Sequence, residues 1–87
     1  MKAVVDKENW KITLDNEAIK AIRFCYGVNT DLRVRLGIPK DRLWSWIYDN
    51  RYGLFGDVMA EMNPTYKDDD WDKFERMLNN VVKQITR

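Results

Sequence analysis

Apolar and polar side chains alternate along residues 10–14, where Trp10, Ile12 and Leu14 are separated by Lys11 and Thr13. A period of two is that of a half-buried strand. Ala3–Val5 is a second short apolar run, and Asp6, Lys7, Glu8 and Asn9 between them suit a turn. The pattern predicts an N-terminal β-hairpin, which needs a surface to pack on because two strands alone are marginal. From Asp15 the period changes to that of a helix. Asp15 reads as an N-cap, and Glu17 suits the positive end of the first turn. Leu14 and Ile19 are spaced as a hydrophobic staple. Ala18, Ile19, Ile22, Cys25 and Tyr26 fall on one face, and Gly27 is a left-handed stop, so a helix over 16–26 is expected.

Four more helices follow from the same reasoning. Leu32 and Leu36 predict a short helix over 30–36, closed by Gly37. Pro39 can open the next, over 40–49, with Leu43, Trp46 and Ile47 as its apolar stripe. Tyr52-Gly53 reads as a break, after which Leu54, Phe55, Val58, Met59 and Met62 predict a helix over 54–62. Asn63-Pro64-Thr65 ends it. The last element has the strongest pattern. Asp68, Asp69 and Asp70 supply a cap and negative charge. Positions 71, 74, 78, 81 and 85 then step by three and four, the spacing of a packed helix seam over 70–85. The core is expected to hold Ile22, Leu36, Ile38, Leu43, Trp46, Val58, Phe74, Leu78 and Val81. The fold class is mainly α, one small helical domain over residues 1–87. It comprises a hairpin at 1–15, a helical core at 16–62 and a C-terminal helix at 63–87.

Composition narrows the chemistry. With 87 residues and 45% hydrophobic content the chain is one domain with enough apolar mass for a core. There is no His, which removes Ser-His, Cys-His and His-metal arrangements. The single Cys allows no internal disulfide and no CxxC site, and Cys25 on an apolar stripe reads as buried. The four aspartates at 68–70 and 72 lack the spacing and glycine of a calcium loop and read as caps. No residue set supplies a nucleophile, a base and an orienting group, so neither an enzyme nor a bound metal or cofactor is expected. No apolar run is long enough to cross a membrane, and the first 15 residues lack the apolar stretch of a signal peptide. A cytoplasmic protein is the expectation.

Residues 29–48 read NTDLRVRLGIPKDRLWSWIY. This segment resembles the helix-turn-helix of phage repressor and Cro (Xre-type) regulators, and the resemblance extends over about residues 27–53. Gly37 takes the turn position, Leu32 and Leu36 precede it, and Ile38, Leu43 and Trp46 follow it as packing residues. Arg33 departs from the pattern, standing where the family has a small residue at the close approach of the two helices. The resemblance implies a small DNA-binding transcriptional regulator whose second motif helix enters the major groove. Lys40, Arg42 and Ser45 would then face DNA, with Arg51 toward a phosphate. Duplex DNA would be the partner, and the C-terminal helix could join two copies into a homodimer. Residues 20–51 hold seven basic against three acidic side chains, whereas 52–87 hold five against seven, so the positive bias lies on the motif.

The same helix supports a second reading. Lys40, Asp41, Trp44, Ser45 and Tyr48 would line its outward face, and Trp44 and Tyr48 are unusual for groove reading. Trp, Tyr and Arg are the side chains that dominate protein interfaces. The alternative is therefore a phage-encoded inhibitor or adaptor that contacts a host or phage protein through Trp44 and Tyr48. A third reading is a structural subunit that assembles through its hairpin edge and C-terminal helix.

Overall fold

The computed structural model describes residues 3–26, 41–64 and 69–86. The expected helix at 30–36, its Gly37 turn, Lys40 and the expected core residues Leu36 and Ile38 lie outside them. The described chain is mainly helical, with an antiparallel hairpin at its start: β1 (Ala3–Asp6), β2 (Lys11–Leu14), α1 (Asn16–Cys25), α2 (Asp41–Phe55), α3 (Val58–Glu61) and α4 (Asp70–Thr86). No described helix is long and apolar enough to cross a membrane.

In the hairpin Ala3 pairs with Leu14 and Val5 with Ile12. Ile12 and Leu14 are buried while Lys11 and Thr13 are exposed, as the alternation requires. The Asp6 carboxylate ties the turn by accepting from the Glu8 and Asn9 backbone N–H groups and from the Asn9 side chain. These bonds, the Asn9 side chain first, hold the Asp6 carboxyl below its usual range. Lys7 forms an ion pair with Glu61, which links the turn to α3.

The outer edge of β2 is closed by one side chain. Gln84 on α4 accepts from the Leu14 N–H at 2.9 Å and donates to the Ile12 carbonyl at 2.8 Å. It does for β2 what a third strand would do, which satisfies backbone groups that an open edge leaves exposed. Gln84→Ala is expected to cost about 1–3 kcal/mol, because it leaves both part-buried backbone groups without a partner. Urea denaturation checks this, and a cost within 0.3 kcal/mol of zero, on the order of measurement error, would contradict it.

Helix α1 starts where the sequence indicates. The Asp15 side chain accepts from the Ala18 N–H at 2.8 Å, the N-cap bond. Ala18 and Ile22 are fully buried. Cys25 is not: it is exposed, beside Phe24, which is 85% exposed. It lies on the helix face of Ala18 but two turns further along α1.

Helix α2 corrects the expected boundaries. It continues through Tyr52 and Gly53 to Phe55, so no separate helix spans 54–62. Leu43 and Ile47 are buried, and Leu54 and Phe55 extend the same inward side by two further turns. This burial outweighs the low helix propensity of one glycine, which is about 1 kcal/mol. The stop is Gly56, whose φ of 82° is left-handed and whose N–H bonds the Tyr52 carbonyl at 2.8 Å. The short α3 follows with Met59 buried. A Cβ added at Gly53 would meet nothing within 4 Å. Gly53→Ala is therefore expected to stabilise the protein by about 0.5–1 kcal/mol, read as a raised melting temperature.

Helix α4 presents Phe74, Met77, Leu78, Val81 and Ile85 to the core. They meet Ile12 and Leu14 of β2, Ala18 and Ile22 of α1, Leu43, Ile47 and Phe55 of α2, and Met59 and Met62. Trp46 and Val58 are half-buried at the margin of this core rather than inside it. For Trp46 the reason is angular. The inward face of α2 centres on Leu43, Ile47 and Leu54, which turns Trp46 sideways onto Tyr26, with ring centroids 5.1 Å apart. Trp71, at the first position of the seam, is 51% exposed.

Candidate functional site

Three aromatic residues of α2 are spaced four apart: Trp44, Tyr48 and Tyr52. At about 100° per residue they drift slowly round the helix and form one stripe beside the core face. The Trp44 and Tyr48 rings stack nearly parallel, 5.5 Å between centroids and 9° between planes. Tyr48 then meets Phe74 of α4 edge to face at 5.9 Å. Phe74 in turn meets Trp71 edge to face at 6.1 Å. Offset and edge-to-face pairs of this kind are the favoured aromatic geometries.

Arg51 locks the stripe. Its guanidinium carbon lies 4.2 Å from the centre of the Tyr48 ring and 4.7 Å from that of Tyr52. The same group donates to the Tyr48 carbonyl at 2.6 Å and to the Asn63 side-chain oxygen at 3.2 and 3.3 Å. Asn63 donates to the Tyr52 hydroxyl, so Arg51, Tyr52 and Asn63 brace one another across the α2–α3 connection. Arg51→Met keeps the stem and removes the charged bonds. It is expected to cost about 1–2 kcal/mol in a thermal or urea melt, the lower part of the range for charge-assisted bonds because the group is half-exposed.

The result is a continuous surface of six side chains from two helices: Trp44, Tyr48, Arg51, Tyr52, Phe74 and Trp71. Phe74 is its buried floor, and Tyr52 (42% exposed) and Trp71 (51% exposed) are its open ends. Glu75 is one turn further along α4 from Trp71 on the same side, and Asp69 and Asp72 are exposed further round the helix. Asp69, Asp72 and Glu75 line one shallow groove with Arg76 and Asn79.

The sequence-derived DNA residues are distributed differently. Arg42 and Ser45 are exposed with Asp49 on the side of α2 opposite the core. Lys40 lies outside the described residues. Arg51 is half-buried in the bonds and ring contacts just described rather than extended from the helix. Trp44 and Tyr48 do not share the outward face with Ser45; both are half-buried against the core. The Trp44 indole N–H has no hydrogen-bond partner among the described residues. Across α2 the charges cancel, with Arg42 and Arg51 against Asp41 and Asp49.

Sequence reasoning picked out Trp44 and Tyr48 but missed Arg51 as their clamp and Trp71 as the exposed end. The i, i+4, i+8 aromatic spacing was a usable signal, hidden by reading Tyr52-Gly53 as a helix break. Among the described residues no group of three or more metal-ligating side chains converges. No family model, curated protein or solved structure matches the chain.

Proposed function

We propose that the chain is a protein-binding module, an inhibitor or adaptor, that seats a basic segment of its partner on the Tyr52–Arg51–Trp71 surface. The observation that carries this reading is the exposure of Trp71 and Tyr52 at the two ends of a rigid ring-and-guanidinium stack. Large aromatics held in one rotamer lose little entropy on binding, and Trp, Tyr and Arg carry most interface energy. Glu75, one turn from Trp71, favours a partner that offers Lys or Arg, which can also rest on the indole face. Affinity capture with immobilised wild-type protein and with Trp71→Ala tests the reading. A discrete partner retained by the first, lost by the second and weakened by salt supports it. Equal retention by both proteins contradicts it.

DNA recognition is the second reading, and the exposure of Arg42 and Ser45 on one outward line of α2 favours it. A DNA reader that neutralises several phosphates loses affinity linearly in log salt. If random duplex binds wild-type protein with a steep salt slope, and Ser45→Ala changes which sequences bind, this second reading replaces the first.

A further inference from the structure

Helix α4 carries a second polar stripe on the flank away from Trp71. Lys73, Arg76 and Asn80 recur at i, i+3 and i+7 and, at 100° per residue, lie roughly 160° round the helix from Trp71. The hairpin turn overhangs this stripe. Between them is an open groove of about 510 Å³, walled by Trp10 and Lys11 on the hairpin side and by Lys73, Arg76 and Asn80 on α4.

Three features point to one ligand chemistry. The first is charge. Lys11, Lys73 and Arg76 converge from two elements, with Glu8 as the acid in the wall. Asp6, which faces Lys11 across the hairpin, remains a charged carboxylate that offsets part of the Lys11 charge, and it lies outside the groove wall. Asp72 precedes Arg76 by one turn and lines the groove on the other side of that arginine. Within the lining itself three cations stand against one acid, while the Asp6 and Asp72 carboxylates lie outside it, and a wall of cations from two elements suits a phosphate. The second is an oriented donor. The Asn80 side-chain oxygen accepts from Gln84 at 2.7 Å, and Gln84 is itself fixed on β2. The Asn80 amide N–H groups are therefore left as donors. The third is Trp10, whose φ of 50° puts a bulky residue in the left-handed region at the end of the turn, where Gly or Asn ordinarily stands. Such residues persist where the surroundings hold them, and they recur at ligand sites. Here the indole is packed partly on the core while it also walls the groove.

We infer that this groove binds a nucleotide unit, its phosphate held by Lys11, Lys73 and Arg76 and its base stacked on Trp10. The groove volume is within the range of small-molecule sites. Both a free mononucleotide and one unit of a single-stranded nucleic acid carry this chemistry. The site shares Arg76 with the acidic groove of α4 but none of the six side chains of the aromatic surface, so Trp10→Gly tests it without touching that reading.

Amide and indole NMR shifts during titration of the whole protein test it, with inorganic phosphate, adenosine monophosphate and an oligo(dA) octamer as probes. Saturable shifts along residues 73–80 and at the Trp10 indole are expected, with the mononucleotide about tenfold tighter than phosphate because stacking adds to charge. Trp10→Gly relieves the left-handed backbone and removes the ring, so it should reduce mononucleotide affinity to that of phosphate. Lys73→Glu combined with Arg76→Glu, both on exposed positions, should weaken all three probes by about tenfold or more. An octamer far tighter than the mononucleotide identifies the single strand as the source, and a comparable or weaker one identifies the free nucleotide. Unmoved shifts with millimolar mononucleotide, or equal binding by Trp10→Gly and wild type, overturn the inference.

Discussion

Phe74→Ala should lower the unfolding free energy by about 3–5 kcal/mol, the cost of emptying a buried aromatic site. Phe74 is fully buried, on the element with the most extensive core face. An 87-residue domain has roughly 4–13 kcal/mol of stability in all, so this is a large share of it. The corresponding fall in melting temperature is about 15–30 °C. The substitution has a second consequence, because Tyr48 and Trp71 both rest edge-on against the Phe74 ring. Their packing should loosen together, seen as loss of near-ultraviolet circular dichroism beyond that of one ring. Phe74→Leu should keep most of the stability, since it preserves much of the volume. A melting temperature for Phe74→Ala within a few degrees of wild type would mean that α4 does not anchor the core.

Trp71→Ala should separate binding from folding. The residue is half-exposed and meets the core ring of Phe74 in one perpendicular contact, so the stability loss should stay near or below about 1 kcal/mol. Loss at the interface should be larger, about 2–4 kcal/mol, because a Trp at the edge of a rigid stack is a typical hot spot. At 25 °C this is a decrease in partner affinity of about 30-fold or more. Equilibrium melts and the affinity for the captured partner check the two halves of this prediction. A variant that melts early and binds normally would place Trp71 in the fold rather than the interface.

Elements governed by local periodicity were legible in the sequence. The seam of α4 follows from Phe74, Leu78, Val81 and Ile85, and the hairpin follows from Ile12 and Leu14. Asp15 announces α1 because capping needs only its own side chain and the next turn. What escaped depends on contacts between distant residues. Gln84 reads as one polar residue on a helix, yet it completes β2 from 70 and 72 positions away. Gly53 looks like a break because propensity is local, whereas the burial of Phe55 that carries the helix past it is tertiary. Arg51 reads as a surface cation until Asn63 and the Tyr48 and Tyr52 rings are brought round it. The candidate surface was half visible for the same reason. Trp44 and Tyr48 are on one helix, but their continuation runs through Phe74 to Trp71 on another.

The aromatic side of α2 and its outward side with Arg42 and Ser45 can be compared in one experiment. A photoactivatable benzoylphenylalanine is placed at position 52, within the aromatic surface, and separately at position 42, on the outward line with Ser45. Irradiation of cells that express each form is followed by denaturing analysis of the adducts. A discrete protein adduct from position 52, and none from position 42, is the predicted result. DNA adducts from position 42, with position 52 silent, would contradict the account.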